Sequence, residues 1–103
     1  MFVTMNRIFV TPEYAEKFED NFRNRAKEVD KMPGFIRNAV LRPKGEDQPY
    51  VVQTFWESEE QFKAWVGSDA FKKGHARSGT LPPEAFAKKG SLETFEVFLD
   101  TEA

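Results

Sequence analysis

The chain has 103 residues, with 15 Lys plus Arg against 17 Asp plus Glu and a formal net charge of −2. A chain of this length holds one core, so a single domain over residues 1–103 is expected, and the near-balanced charge excludes the strong basic field that draws proteins to nucleic acid or anionic membranes. The absence of cysteine excludes a disulfide framework and a thiolate metal site, and it suits a reducing, cytoplasmic setting.

Residues 2–10 (FVTMNRIFV) are rich in β-branched and aromatic types and predict the first strand. Apolar residues fall on both alternating sets, Phe2, Ile8 and Val10 against Val3, Met5 and Phe9, so both faces are expected to be covered. The segment lacks the basic start and unbroken apolar run of a secretion signal, and no stretch is long enough to span a bilayer, so no membrane partner is expected. Thr11 followed by Pro12 reads as an N-cap and a first helical position. The helix that follows carries Ala15, Phe18, Phe22, Ala26 and Val29 on one stripe and should end before Pro33-Gly34.

Phe35 to Arg42 alternates loosely as a second strand, residues 43–49 (PKGEDQP) form a polar turn, and Tyr50 to Trp56 is the third strand. Ser58 with Gln61 makes a capping box for a short helix whose apolar side is Phe62, Trp65 and Val66, interrupted at Gly67. Ser68 caps a further turn that places Phe71 and His75 on one face. Residues 76–90 read as a loop in which Pro83 to Lys88 can form a helical turn, and Leu92 to Leu99 is the fourth strand. The order β-α-β-β-α-β predicts a ferredoxin-like α+β fold, an antiparallel sheet with both helices on one face. A second subunit, stacked sheet on sheet, is the expected cover for the other face and makes a homodimer.

Few residues in the pattern carry chemistry. His75 is the only histidine, too few for a zinc or copper cluster but enough for one axial ligand to haem iron. Taken alone, it better fits a partly exposed histidine near a helix C-terminus, whose cationic form is mildly favoured there. Asn6 interrupts an apolar strand on the set shared with Phe2 and Ile8, so its amide either faces a cavity or bonds neighbouring backbone. Trp65 and Trp56 fit core packing, and an indole pressed on a macrocycle is the other use of such a ring. Glu59, Glu60 and Asp69 stand in helix first turns and favour the dipole. Lys72, Lys73 and Arg77 surround His75 with positive charge, a solvated patch or a partner for carboxylates such as haem propionates. No phosphate-cradling loop, nucleophile elbow or GxGxxG fingerprint is present.

The run WESEEQFKAWVGSDAFKKGH from Trp56 to His75, with MPGF at 32–35 and NRI at 6–8, resembles the antibiotic biosynthesis monooxygenase superfamily over essentially the whole chain. Within it, the chain is similar to the staphylococcal-type haem-degrading monooxygenases at Asn6, Trp65 and His75. That resemblance implies a dimeric α+β barrel with one active site in each subunit. It implies His75 as the iron ligand, Asn6 as hydrogen-bond donor to the distal ligand, and Trp65 as the residue that ruffles the porphyrin. Phe71 and Arg77 join them as expected haem contacts. The implied reaction opens haem, both substrate and cofactor, with O2 and an external electron donor and releases iron. The loop at 76–90 departs from the basic, histidine-bearing sequence of the staphylococcal enzymes. Two rival functions fit the same fold, a cofactor-independent monooxygenase of a small aromatic polyketide or quinol, and a haem-binding protein that does not break haem.

Overall fold

The structure is a computed structural model that describes residues 1–24, 29–69, 71 and 81–103. Four strands, β1 (Phe2–Ile8), β2 (Phe35–Leu41), β3 (Tyr50–Trp56) and β4 (Ser91–Glu96), form one antiparallel sheet in the order β2-β3-β1-β4. Helices α1 (Ala15–Arg23) and α2 (Glu59–Val66) follow β1 and β3. The expected ferredoxin-like fold is therefore present.

Register decides which side chains share a face. Phe2 stands opposite Trp56, Thr4 opposite Thr54, Asn6 opposite Val52 and Ile8 opposite Tyr50, and directly opposed residues point the same way. Both helices cover that face. From α2, Phe62 packs on Phe2 (5.5 Å between ring centroids) and on Trp56 (6.2 Å), and from α1, Phe18 packs on Tyr50 (4.7 Å). Trp56 is 1 % exposed and anchors the core, with Phe35 edge-on to it at 5.8 Å.

A register shift between Phe35 and Arg37 explains why β2 alternates only loosely in sequence. The extra residue lets Phe35 face the helices beside Trp56, while Arg37 lies over the Phe55 ring on the opposite face, 4.0 Å from its centroid. Past the bulge, Asn38 and Val40 return to the helix side, so one inserted residue re-aims the rest of the strand.

Several element ends differ from expectation. Thr11 does not cap through its side chain; its hydroxyl donates to the Glu84 carbonyl (3.4 Å), and Pro12–Tyr14 form a 3-10 turn before α1. The first helix runs only to Arg23 among the described residues, and Val29–Lys31 form a separate 3-10 turn. Strand β4 ends at Glu96, leaving Phe98 and Leu99 outside it, 96 % and 72 % exposed. Ser58 caps α2 as expected, accepting from the Gln61 amide at 3.4 Å and donating to the Gln61 side-chain oxygen at 3.0 Å. No helix among the described residues is long and apolar enough to cross a membrane.

Candidate functional site

Because α2 covers the Phe2–Trp56 end of the sheet and α1 the Tyr50 end, the two central rows of the helix-side face lie between the helices. One row runs Val40, Val52, Asn6, Leu92 across β2, β3, β1 and β4. The row beside it runs Asn38, Thr54, Thr4, Thr94. Asn6 is thus a half-buried amide with an aliphatic side chain on each flanking strand. An amide in such a place has no polar side chain directly across from it on either flanking strand, so its donors and acceptor point to the helix side for partners.

At the β2 edge of the same floor a cleft of about 510 Å³ opens against α1, lined by Glu19, Phe22, Arg23, Asn38, Val40, Arg42 and Tyr50. Glu19 organises its wall. Its carboxylate accepts from the Arg42 guanidinium through two nitrogens, from the Tyr50 hydroxyl, and from Arg23 at 3.0 Å. Those partners, Arg42 first and Tyr50 second, lower the Glu19 carboxyl from its usual 4.5 to about 2. Arg42 is held more firmly protonated by the same carboxylate. Burial, reinforced by Glu19, pushes the Tyr50 hydroxyl up. The cluster ties α1 to β2 and β3 and so fixes Phe22, whose ring touches Phe18 at 5.0 Å.

On the other side, Trp65 lies in α2 one turn beyond Phe62, half-buried, with its ring edge-on to Phe71 at 5.5 Å. Ser68 holds that arrangement: its hydroxyl donates to the Trp65 carbonyl (2.6 Å) and accepts from the Phe71 amide (3.2 Å), the cap expected from sequence. The structure therefore brings Trp65 and Phe71 together and puts Asn6 on the floor between the helices. His75 and Arg77, with Lys72 and Lys73, lie outside the described residues. Trp56 is core, as its strand-end position suggested, and its indole N–H has no hydrogen-bond partner among the described residues. Among those residues, no group of three or more His, Cys, Asp or Glu is placed to hold a metal ion.

Sequence reasoning missed the Glu19–Arg42–Tyr50 cluster and the Asn38–Thr54–Thr4–Thr94 row. Both join residues far apart in the chain. The only local signal was that Thr4 shares the alternating set of Asn6.

The sequence profile of the antibiotic biosynthesis monooxygenase family matches residues 1–77. The chain is 38% identical over 98 residues, 95% of its length and 90% of the relative's, to a heme oxygenase (mycobilin-producing) of Mycobacterium tuberculosis. It is 39% identical over 77 residues, 73% of each protein, to a heme oxygenase (staphylobilin-producing) of Staphylococcus haemolyticus. Among solved structures it is similar to the Mycobacterium tuberculosis heme-degrader with two hemes bound in its active site. There the TM-score is 0.79 and the identity 34%, covering 99% of this chain and 100% of that one. With two thirds or more of its length matched in each comparison, this chain belongs to the antibiotic biosynthesis monooxygenase family.

Proposed function

We propose that this protein is a haem-degrading monooxygenase that takes haem as both substrate and cofactor, holds its iron through His75, opens the ring with O2 and an external reductant, and releases iron. The observation that carries the reading is the position of Asn6, a half-buried polar side chain with aliphatic neighbours on both flanking strands, on the sheet face that the helices cover. Family membership and the haem-acting relatives support it.

The residues suit a porphyrin chemically. Val40, Val52 and Leu92 offer apolar surface to a flat macrocycle, and Phe22 adds an aromatic wall at the β2 edge. Apolar contact supplies most of the binding energy in such sites, while a few placed polar groups set orientation. In this reading the Asn6 amide donates to the oxygen that reacts with the ring. Trp65, braced by Phe71, presses on one side of the macrocycle, and Arg77 pairs with a propionate. Haem supplies the redox-active iron and the carbon framework that is cut. The functional unit is a homodimer of single-domain subunits working in the cytoplasm, where reductant is at hand and a cysteine-free chain is at home.

Titrating haem into the purified protein should produce a shifted Soret band that His75→Ala abolishes, and ascorbate in air should bleach it with release of iron. A mutant spectrum identical to wild type would remove His75 as ligand. Haem that binds and survives reductant and oxygen would leave a haem carrier, and no binding at all would leave the cofactor-independent oxygenase.

A further inference from the structure

The row Asn38, Thr54, Thr4, Thr94 crosses all four strands on the helix-side face, one register step from Asn6. It begins in solvent, because Thr94 on the edge strand β4 is exposed, and it goes inward to Thr4, which is 5 % exposed and the buried polar residue of the sheet floor. From the far edge, Asn38 donates to the Thr54 hydroxyl at 2.8 Å and to the Gln53 carbonyl at 3.2 Å. With Asn38 donating, the Thr54 hydroxyl keeps its own proton to give onward, and the residue directly across is Thr4. Opposed side chains in an antiparallel pair have Cβ atoms about 4.5–5.5 Å apart, a gap that one bridging water closes between two hydroxyls.

Strand propensity favours threonine at any one of these positions. It does not explain a hydroxyl at Thr4, where valine fills the same space without burying a polar group that must find a partner. The rows on both sides are mostly apolar: Phe35, Trp56 and Phe2, ending at Glu96 on the β4 edge, on one side, and Val40, Val52 and Leu92 around Asn6 on the other. The hydroxyls nearest Asn6 are therefore those of the threonine row, Thr4 two residues back on its own strand and Thr54 and Thr94 on the diagonals, since its direct neighbours across the strands are aliphatic.

We propose that Thr94, Thr4 and Thr54 form a proton-delivery path along the sheet floor, passing protons from solvent at the β4 edge to the reacting oxygen beside Asn6. The inference rests on the monooxygenase reading above and assigns it a path that the reaction needs. When one atom of O2 enters the substrate and the other leaves as water, the balance is S–H + O2 + 2 electrons + 2 protons → S–OH + H2O. The electrons come from the external reductant, and the protons have to reach Asn6, whose direct neighbours on both flanking strands, Val52 and Leu92, are aliphatic. Hydroxyls relay them by accepting one proton as they donate another, with no net charge placed on the buried threonine.

Thr4→Val tests this while keeping shape and volume. In the haem-free protein, a high-resolution crystal structure should show water bridging Thr4 and Asn6 that is lost in Thr4→Val. In the haem-loaded protein, the variant should keep haem affinity within twofold and an unchanged Soret band. It should degrade haem about tenfold or more slowly, the scale on which positioned proton transfer acts, and release more hydrogen peroxide per haem. Thr4→Ser should restore the rate, and Thr54→Val should repeat the loss if Thr4→Val folds poorly. A Thr4→Val enzyme with wild-type rate and peroxide yield overturns the path, as does a loss of haem affinity that accounts for the whole fall in rate. If the wild-type protein does not degrade haem, it is the monooxygenase reading that fails, and the bridging water then shows separately whether the path exists.

Discussion

On the helix-covered face, β1 presents Phe2, Thr4, Asn6 and Ile8; on the opposite face it presents Val3, Met5 and Arg7, and the two sets are held in different ways. The covered face is closed at its ends by interlocked rings, Phe62 on Phe2 and Trp56, Phe18 on Tyr50, with polar residues in the middle rows. The uncovered face has ionic and cationic contacts instead, Arg7 with Glu93 and Arg37 over Phe55, among apolar side chains that stay exposed, Phe95 at 44 % and Leu41 at 46 %. Rings at the two ends fix where each helix sits on the sheet, and the half-buried Asn6 lies on the stretch of strand between them. The other face has apolar surface with charges at its margins, the composition of an interface whose centre is dry and whose rim is wet.

The largest expected effect tests the first half of that contrast. Trp56→Ala removes a ring that is 1 % exposed and touches both Phe35 and Phe62. Loss of a fully buried large aromatic costs about 3–5 kcal/mol, so denaturant unfolding should show a marginal or unfolded variant. A loss below about 1 kcal/mol would mean that the helix-covered end is loosely packed and does not set the helix spacing.

Next in size is the turn that brings β2 against α2. Gly34 has φ +84°, and a Cβ there would sit 2.2 Å from the Gln61 side chain that receives the Ser58 hydroxyl. Gly34→Ala should cost about 1–2 kcal/mol from the left-handed backbone alone, and more if Gln61 must release Ser58. Thermal melting of Gly34→Ala and of the double variant Gly34→Ala with Gln61→Ala separates the two costs, because only the single variant carries the clash.

On the uncovered face a substitution should hardly touch the folded subunit. Phe95→Glu should change subunit stability by less than about 0.5 kcal/mol, as surface substitutions usually do. If a second copy covers this face, the same change places a charge in a dry interface, and sedimentation should show the dimer replaced by monomer at micromolar concentration. An unchanged sedimentation coefficient would locate the subunit contact elsewhere.

The contrast was half legible in the sequence. Two sets of apolar residues along residues 2–10 announced apolar side chains on both faces of the strand, and the spacing of Phe18, Phe22, Phe62 and Trp65 announced the helices. Local chemistry carried those signals, as it carried the caps at Ser58 and Ser68. The middle of the site was not legible, because Thr4, Thr54 and Thr94 become one row only when three strands pair in a given register, and that pairing is not written in any short window. The bulge after Phe35 has the same character: it decides that Asn38 and Val40 face the helices, yet in sequence it appears only as imperfect alternation. His75, the residue singled out most firmly from sequence, lies outside the described residues, so its role rests on the spectroscopic test.

The smallest expected effect concerns the charge cluster at the cleft edge and is set by pH. Glu19 holds Arg42, Tyr50 and Arg23 around one carboxylate, and its folded carboxyl lies at about 2, below the 4.5 it has when free. A group lowered on folding stabilises the fold above its unfolded value, and that contribution is lost as pH falls through the interval down to the folded value. Wild type should therefore melt above Glu19→Gln at pH 7, by an equal margin at pH 6, and the margin should shrink below about pH 4.5 and close toward pH 2. Glu93→Gln on the uncovered face, whose pair with Arg7 is 42% exposed on each side, should move the melting temperature less at pH 7, since exposed pairs are well screened. If the Glu19 margin stays constant from pH 7 to pH 3, the variant is responding to lost packing at α1 and the ionised carboxylate is not what joins the helix to β2 and β3.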